Sequence, residues 1–98
     1  MGTNVEQSNY RPFKNGFPYK LLKYLYDNGK SSGIDVQEAI GMNEFFDKKG
    51  VVYFNRASAN FDAIVRQLHV KELVKVLPDD CYELTKSGRN FIENYIVR

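Results

Sequence analysis

Apolar residues fall along this 98-residue chain in two rhythms, one close to a helical turn and one alternating, and their order sketches a set of elements. Leu21, Leu22 and Leu25 stand at core spacing behind Pro18, whose missing N–H suits a first helical turn. Asp27-Asn28-Gly29 stops that run, so a first helix is predicted over 18–28. After the Lys30-Ser31-Ser32-Gly33 loop, Ile34 reads as a very short strand. Asp35-Val36-Gln37-Glu38 then fits a capping box, with Asp35 as the cap of a short second helix over 36–40 that Gly41 ends. The most regular pattern is Phe61, Ile64, Val65 and Leu68 at i, i+3, i+4 and i+7, which predicts a third helix over 57–71 with one apolar face.

Leu73-Val74-Lys75-Val76-Leu77 and Cys81-Tyr82-Glu83-Leu84 bracket the turn formers Pro78-Asp79-Asp80 and predict an antiparallel hairpin. Thr85 is a good N-cap for a last helix over 86–97. The arc of Phe91, Ile92, Tyr95 and Ile96 on that helix is wider than one seam requires, which implies a second buried contact. Met42–Asn55 follows neither rhythm: Asn43–Lys49 has the composition of a helical turn and Val51-Val52-Tyr53-Phe54 that of a strand, and so apolar a segment either joins the core or forms a partner surface. The fold class is therefore mainly α with a small antiparallel β hairpin. Residues 1–17 form an arm and residues 18–98 one domain.

The run from Leu73-Val74-Lys75-Val76 through the turn to Tyr82-Glu83-Leu84-Thr85-Lys86-Ser87-Gly88-Arg89-Asn90-Phe91 resembles the wing and following helix of small prokaryotic winged helix-turn-helix transcription regulators, and the resemblance extends over about 18–96. It implies a winged helix with a three-helix core, a wing and a C-terminal helix, acting as a DNA-binding transcription regulator. Leu84 would close the wing strand on the core, and Gly88 would let the next helix approach its neighbour's backbone closely. The chain departs from the family in two places. Glu72 stands where a glycine commonly ends the third helix, and Met42–Arg56 is longer than the usual link of about three or four residues between the second and third helices.

Charge and chemistry narrow the reading. With 14 Lys+Arg against 12 Asp+Glu the net charge is only +2, which excludes a polybasic tail, and 43% hydrophobic residues exclude disorder. A chain this short lacks the volume for a deep, lidded active site beside its core. One cysteine, Cys81, and one histidine, His69, make neither a disulfide nor a metal motif, and no nucleophile, base and orienting group occur as a set, so no enzyme, metal or cofactor is expected. The beginning of the sequence has no signal-like charge and apolar pattern, no apolar run nears the roughly 18 residues of a membrane span, and the expected location is the cytoplasm.

The resemblance makes the polar face of the third helix the candidate for the major groove of double-stranded DNA. Arg56, Ser58, Ala59, Asn60, Ala63, Arg66 and Gln67 lie there, with Asp62 as an opposing charge. Lys14, Lys20 and Lys23, in the most basic part of the chain, are candidates for phosphate contact. The interleaved Tyr10, Phe13, Tyr19 and Tyr24 read as core packing before base stacking. The acidic Asp79-Asp80 tip is expected to stay out of the minor groove. Phe91, Ile92, Tyr95 and Ile96 are the expected dimerisation seam of a homodimer. The alternative reading is a winged helix protein-interaction module or subunit of a larger complex, meeting its partner through Phe45, Phe46, Val51, Tyr53 and Phe54.

Overall fold

Pro18 sits in the first turn of helix α1 (Phe17–Asn28), which is entered from Gly16 without a side-chain cap and buries Leu21, Leu22 and Leu25. Gly29 ends it at φ 76 and ψ −156, a conformation that costs a residue with a Cβ dearly, while its N–H donates to Leu25 O at 2.8 Å. The structure, a computed structural model, describes residues 10–42 and 56–96. After α1 come β1 (Ser31–Ser32), α2 (Gly33–Ala39), α3 (Arg56–Val70), β2 (Val74–Leu77), β3 (Cys81–Leu84) and α4 (Lys86–Tyr95). The described chain is thus mainly helical, with a three-stranded antiparallel sheet in the order β1-β3-β2. No described helix is long and apolar enough to cross a membrane.

The start of α2 differs from the sequence expectation. The strand is Ser31–Ser32, paired with Tyr82 and Cys81, and not Ile34, which lies in α2 with 74% of its surface exposed. Ser32 and not Asp35 is the N-cap: its Oγ accepts from the Asp35 N–H at 3.2 Å. A serine in that place ends the strand and starts the helix at once, and Gly33 explains why the helix begins so early. Its N–H donates to Asp80 O at 2.9 Å, and a Cβ there would press on the Tyr82 and Phe61 rings at 3.0 and 3.2 Å. Those two rings meet edge to face at 5.4 Å, a favourable aromatic geometry that clamps α2, α3 and β3 together.

Helix α3 turns Phe61, Val65 and Leu68 into the core, with Ile64 packed beside them, as its 3.6-residue spacing requires. It ends in a Schellman turn. Glu72 N–H donates to His69 O at 2.9 Å and Leu73 N–H to Leu68 O at 3.0 Å, and Glu72 itself takes the left-handed conformation at φ 62. The glycine absent from the sequence is therefore absent from the fold at a cost, because the backbone still adopts the glycine-like conformation. Leu73 and Leu68, buried at 3% and 0% exposure, supply the apolar contact that accompanies such a turn.

From that turn the expected hairpin follows, its register setting Val74 opposite Leu84 and Leu77 opposite Cys81, around a Pro78-Asp79-Asp80 turn in which both aspartates have positive φ. Thr85 caps α4 as expected and does more. Its Oγ1 accepts from Gly88 N–H at 2.9 Å and donates to Glu72 O, while its own N–H donates to Leu73 O at 3.1 Å. Gly88 passes so close to the Leu73 carbonyl that a Cβ would overlap it.

Half of the arc on α4 is spent in the core, while Tyr95 is 43% exposed and Ile96 is partly buried. Phe91 and Ile92, expected in a dimer seam, are 6% and 0% exposed in the core, so they are not surface for a second copy. The second contact implied by the width of the arc is the N-terminal arm, where Tyr10 stacks on Phe91 at 5.6 Å and Arg11 lies 4.0 Å over the Tyr95 ring. Tyr10 and Tyr24 pack against the core, whereas Phe13 stands 87% exposed.

The junction gives two stability predictions of opposite sign. Gly88→Ala should destabilise the chain by about 2–4 kcal/mol, since the new methyl group forces α4 away from the Leu73 carbonyl. Glu72→Gly should stabilise it by about 1 kcal/mol through relief of the left-handed conformation. Urea melts of the two variants against the parent chain read both values.

Candidate nucleic-acid interface

The same periodicity that buries Phe61, Val65 and Leu68 turns the opposite side of α3 to solvent. Ala59, Asn60, Asp62, Ala63, Arg66 and Gln67 are all exposed. Arg56 and Ser58 belong to the first turn of α3, and their side chains lie outside those described. The described candidates for base contact are therefore brought together on one helical face. Residues three and four apart on a helix are neighbours, so Ala59 and Ala63 form a low centre, with Asn60, Arg66 and Gln67 as longer polar groups around it. Asp62 stands one turn from Arg66 and offsets part of its charge.

Tyr82 borders this face from below. Burial raises its pKa above the ordinary 10.0, and the Asp62 and Asp80 carboxylates and Cys81 push it further the same way. The phenol is therefore held neutral as a packing group beneath α3. His69, near the end of the helix, has its Nδ1 3.1 Å from Val74 O, which makes Nδ1 the protonated nitrogen and ties α3 to β2. It is a structural histidine in this setting.

The candidate phosphate contacts do not form one patch. Lys20 and Lys23 line a groove between α1 and the end of α2, with Tyr19, Tyr24 and Ile40, whereas Lys14 lines a separate groove beside the arm and α4. Lys23 donates to Asp27 at 2.9 Å across one helical turn, so its charge is locally compensated, and that hydrogen bond raises its pKa. Lys14 and Lys20 are exposed. At the hairpin tip Asp79 and Asp80 are exposed as well, and Lys75 pairs with Glu83 at 3.6 Å behind them. Residues Phe45, Phe46, Val51, Tyr53 and Phe54, the candidate partner surface, lie outside the described residues.

Sequence reasoning missed the role of the arm. Tyr10 is also approached by Lys71, whose Nζ is 4.8 Å from its ring centre, so the arm touches the turn that ends α3 as well as α4. The signal was present in the unusually wide apolar arc of α4. Comparison with protein-family models, with characterised proteins and with solved structures gave no match.

A raised tyrosine pKa has a definite sign in stability. The neutral phenol is favoured in the folded state, so its contribution is intact below pH about 10 and is lost as pH rises through the folded value. Tyr82, Tyr10 and Tyr26 are all shifted upward, by burial for the first two and by the hydrogen bond to Glu93 for the third. Stability should therefore fall as pH rises past about 10 and through the folded values, and Tyr82→Phe should remove part of that fall. Thermal melts across this range, with tyrosinate absorbance followed in parallel, check both statements.

Proposed function

We propose that this chain is a winged helix DNA-binding domain, a transcription regulator that lays the outer face of α3 in the major groove of a duplex. The observation that carries the reading is the exposed row of Ala59, Asn60, Ala63, Arg66 and Gln67 on a helix whose inner face and far end are pinned to the core. The order helix, strand, two helices, hairpin and helix, with the sheet order β1-β3-β2, supports the same architecture. Small side chains at Ala59 and Ala63 let the helix backbone approach base edges. Arg66 offers two donors to a guanine edge, and Asn60 or Gln67 pairs with adenine. The acidic hairpin tip is repelled by phosphate, so the contact rests on the α3 face itself. A two-fold pairing through Phe91 and Ile92 is not carried forward, because both are core residues.

A second reading is a protein-interaction module. Asp62 in the middle of the α3 face and the exposed Asp79 and Asp80 favour it, because all three oppose a polyanion.

Fluorescence anisotropy with a labelled random duplex at low and at physiological salt separates the two. Duplex binding that weakens steeply with salt is the expected result, and Arg66→Ala should cost about 1–3 kcal/mol and lower the log–log salt slope by about 0.9. Absence of binding at low salt would remove the DNA reading in favour of a protein partner.

A further inference from the structure

An asparagine followed by glycine is chemically exposed, because glycine has no Cβ to shield its backbone nitrogen from the neighbouring carboxamide. That step occurs twice in the chain, at Asn15-Gly16 and at Asn28-Gly29, and the fold treats the two differently. At the end of α1, Asn28 Nδ2 donates to Tyr24 O at 2.9 Å and Gly29 N–H donates to Leu25 O at 2.8 Å, so both reacting groups are tied to a helix whose Leu25 is buried. Asn15 lies in the exposed bend between the arm and α1, in the left-handed conformation at φ 65, and its side chain makes no hydrogen bond with a described residue. The Gly16 nitrogen is held by its N–H bond to Phe13 O at 2.9 Å, and Phe13 is 87% exposed.

We propose that Asn15 is a self-modification site of this chain. The Gly16 nitrogen attacks Asn15 Cγ and closes a cyclic imide, its proton passing to solvent and the side-chain nitrogen leaving as ammonia. Water then opens the ring at either carbonyl and leaves aspartate or isoaspartate, so the sequence of steps consumes water alone. Attack requires the bend to open, and an exposed turn opens at lower free energy than a helix end packed on the core. Opening also relieves the left-handed conformation of Asn15.

Both products place a carboxylate where the fold favours one. Helix α1 has neither a side-chain cap nor an acidic residue in its first turn, and Lys20 lines the same groove as residue 15. The isoaspartyl product also routes the main chain through the former side chain, which adds a methylene between the arm and α1. Tyr10 seats the arm on Phe91 at 5.6 Å, and the altered join unseats it. The inference does not rest on the DNA reading, since no residue of α3 takes part.

The test incubates the full chain for days at mildly alkaline pH, native and in urea, and follows the conversion of amide to acid by mass spectrometry. Trypsin cuts after Lys20 and Lys23, so the two Asn-Gly steps fall in different peptides. In the native chain Asn15 should react at least about tenfold faster than Asn28, and in urea the two rates should converge, since the difference belongs to the fold. The Tyr10 ring resonances should shift in the isoaspartyl chain, and Asn15→Gln should keep them where they are in the fresh protein. Equal native rates, faster reaction at Asn28, or an Asn15 that stays intact natively while it reacts in urea would overturn the site. Unchanged Tyr10 resonances in the isoaspartyl chain would overturn the release of the arm.

Discussion

The turn in which α3 ends and β2 begins meets the start of α4, and their backbone groups have no room to be satisfied independently. The Schellman turn at Glu72 presents the carbonyls of Glu72 and Leu73 to Thr85, which takes both, one with its hydroxyl and one with its N–H. The same hydroxyl accepts from Gly88, and Gly88 has no Cβ to hold α4 away from Leu73. Leu73 and Gly88 are buried, and a buried backbone group left unpaired costs about 1–3 kcal/mol, so loss of their bonds to Thr85 would open the junction. The direction in which α3 leaves the core, the start of the hairpin and the placement of α4 all follow from this one meeting point.

A second clamp lies at the opposite end of α3. Phe61 and Tyr82 meet edge to face over Gly33, which joins the beginning of α2 to the hairpin. With Phe61, Val65 and Leu68 facing inward and the turn after α3 bonded to Thr85, the polar side of α3 is presented to solvent on a helix packed against the core. Rigid presentation of a short polar row suits recognition, which loses affinity when side chains or helices must be ordered on contact. The mixed charge of the surface limits how much non-specific attraction to a polyanion the chain can generate, so any duplex contact rests on the geometry of α3 more than on a broad electrostatic field.

Much of the fold was legible because its determinants are local. Leucine spacing in α1, the Phe61–Leu68 pattern in α3, the turn formers at Pro78-Asp79-Asp80, the Thr85 cap and Gly88 each act within a few residues of themselves. The misreadings arose where a tertiary contact overrides a local signal. Asp35 heads a capping box with Glu38, yet the pairing of Ser31–Ser32 with β3 and the tight seat of Gly33 against two rings fix the helix start three residues earlier. Glu72 bears a left-handed conformation that its side chain disfavours, because the bonds on either side demand it. Phe91 and Ile92 looked like a seam for a second copy, since nothing in a sequence tells an intramolecular cover from an intermolecular one; the arm is that cover. Of the candidate base contacts, the helical period correctly placed Ala59, Asn60, Ala63, Arg66 and Gln67 on one exposed face, whereas the lysines, set by loop and helix geometry together, divide between two grooves.

Native-state hydrogen exchange tests most directly whether the Thr85 junction holds the structure together. If it does, the amides of Leu73, Thr85 and Gly88 open only with the whole molecule, at the same free energy as those of Leu68 and Ile92 in the core helices. Exchange of Thr85 and Gly88 at a clearly lower free energy, with Leu68 still protected, would mean that α4 detaches on its own and would contradict the central role given to the junction.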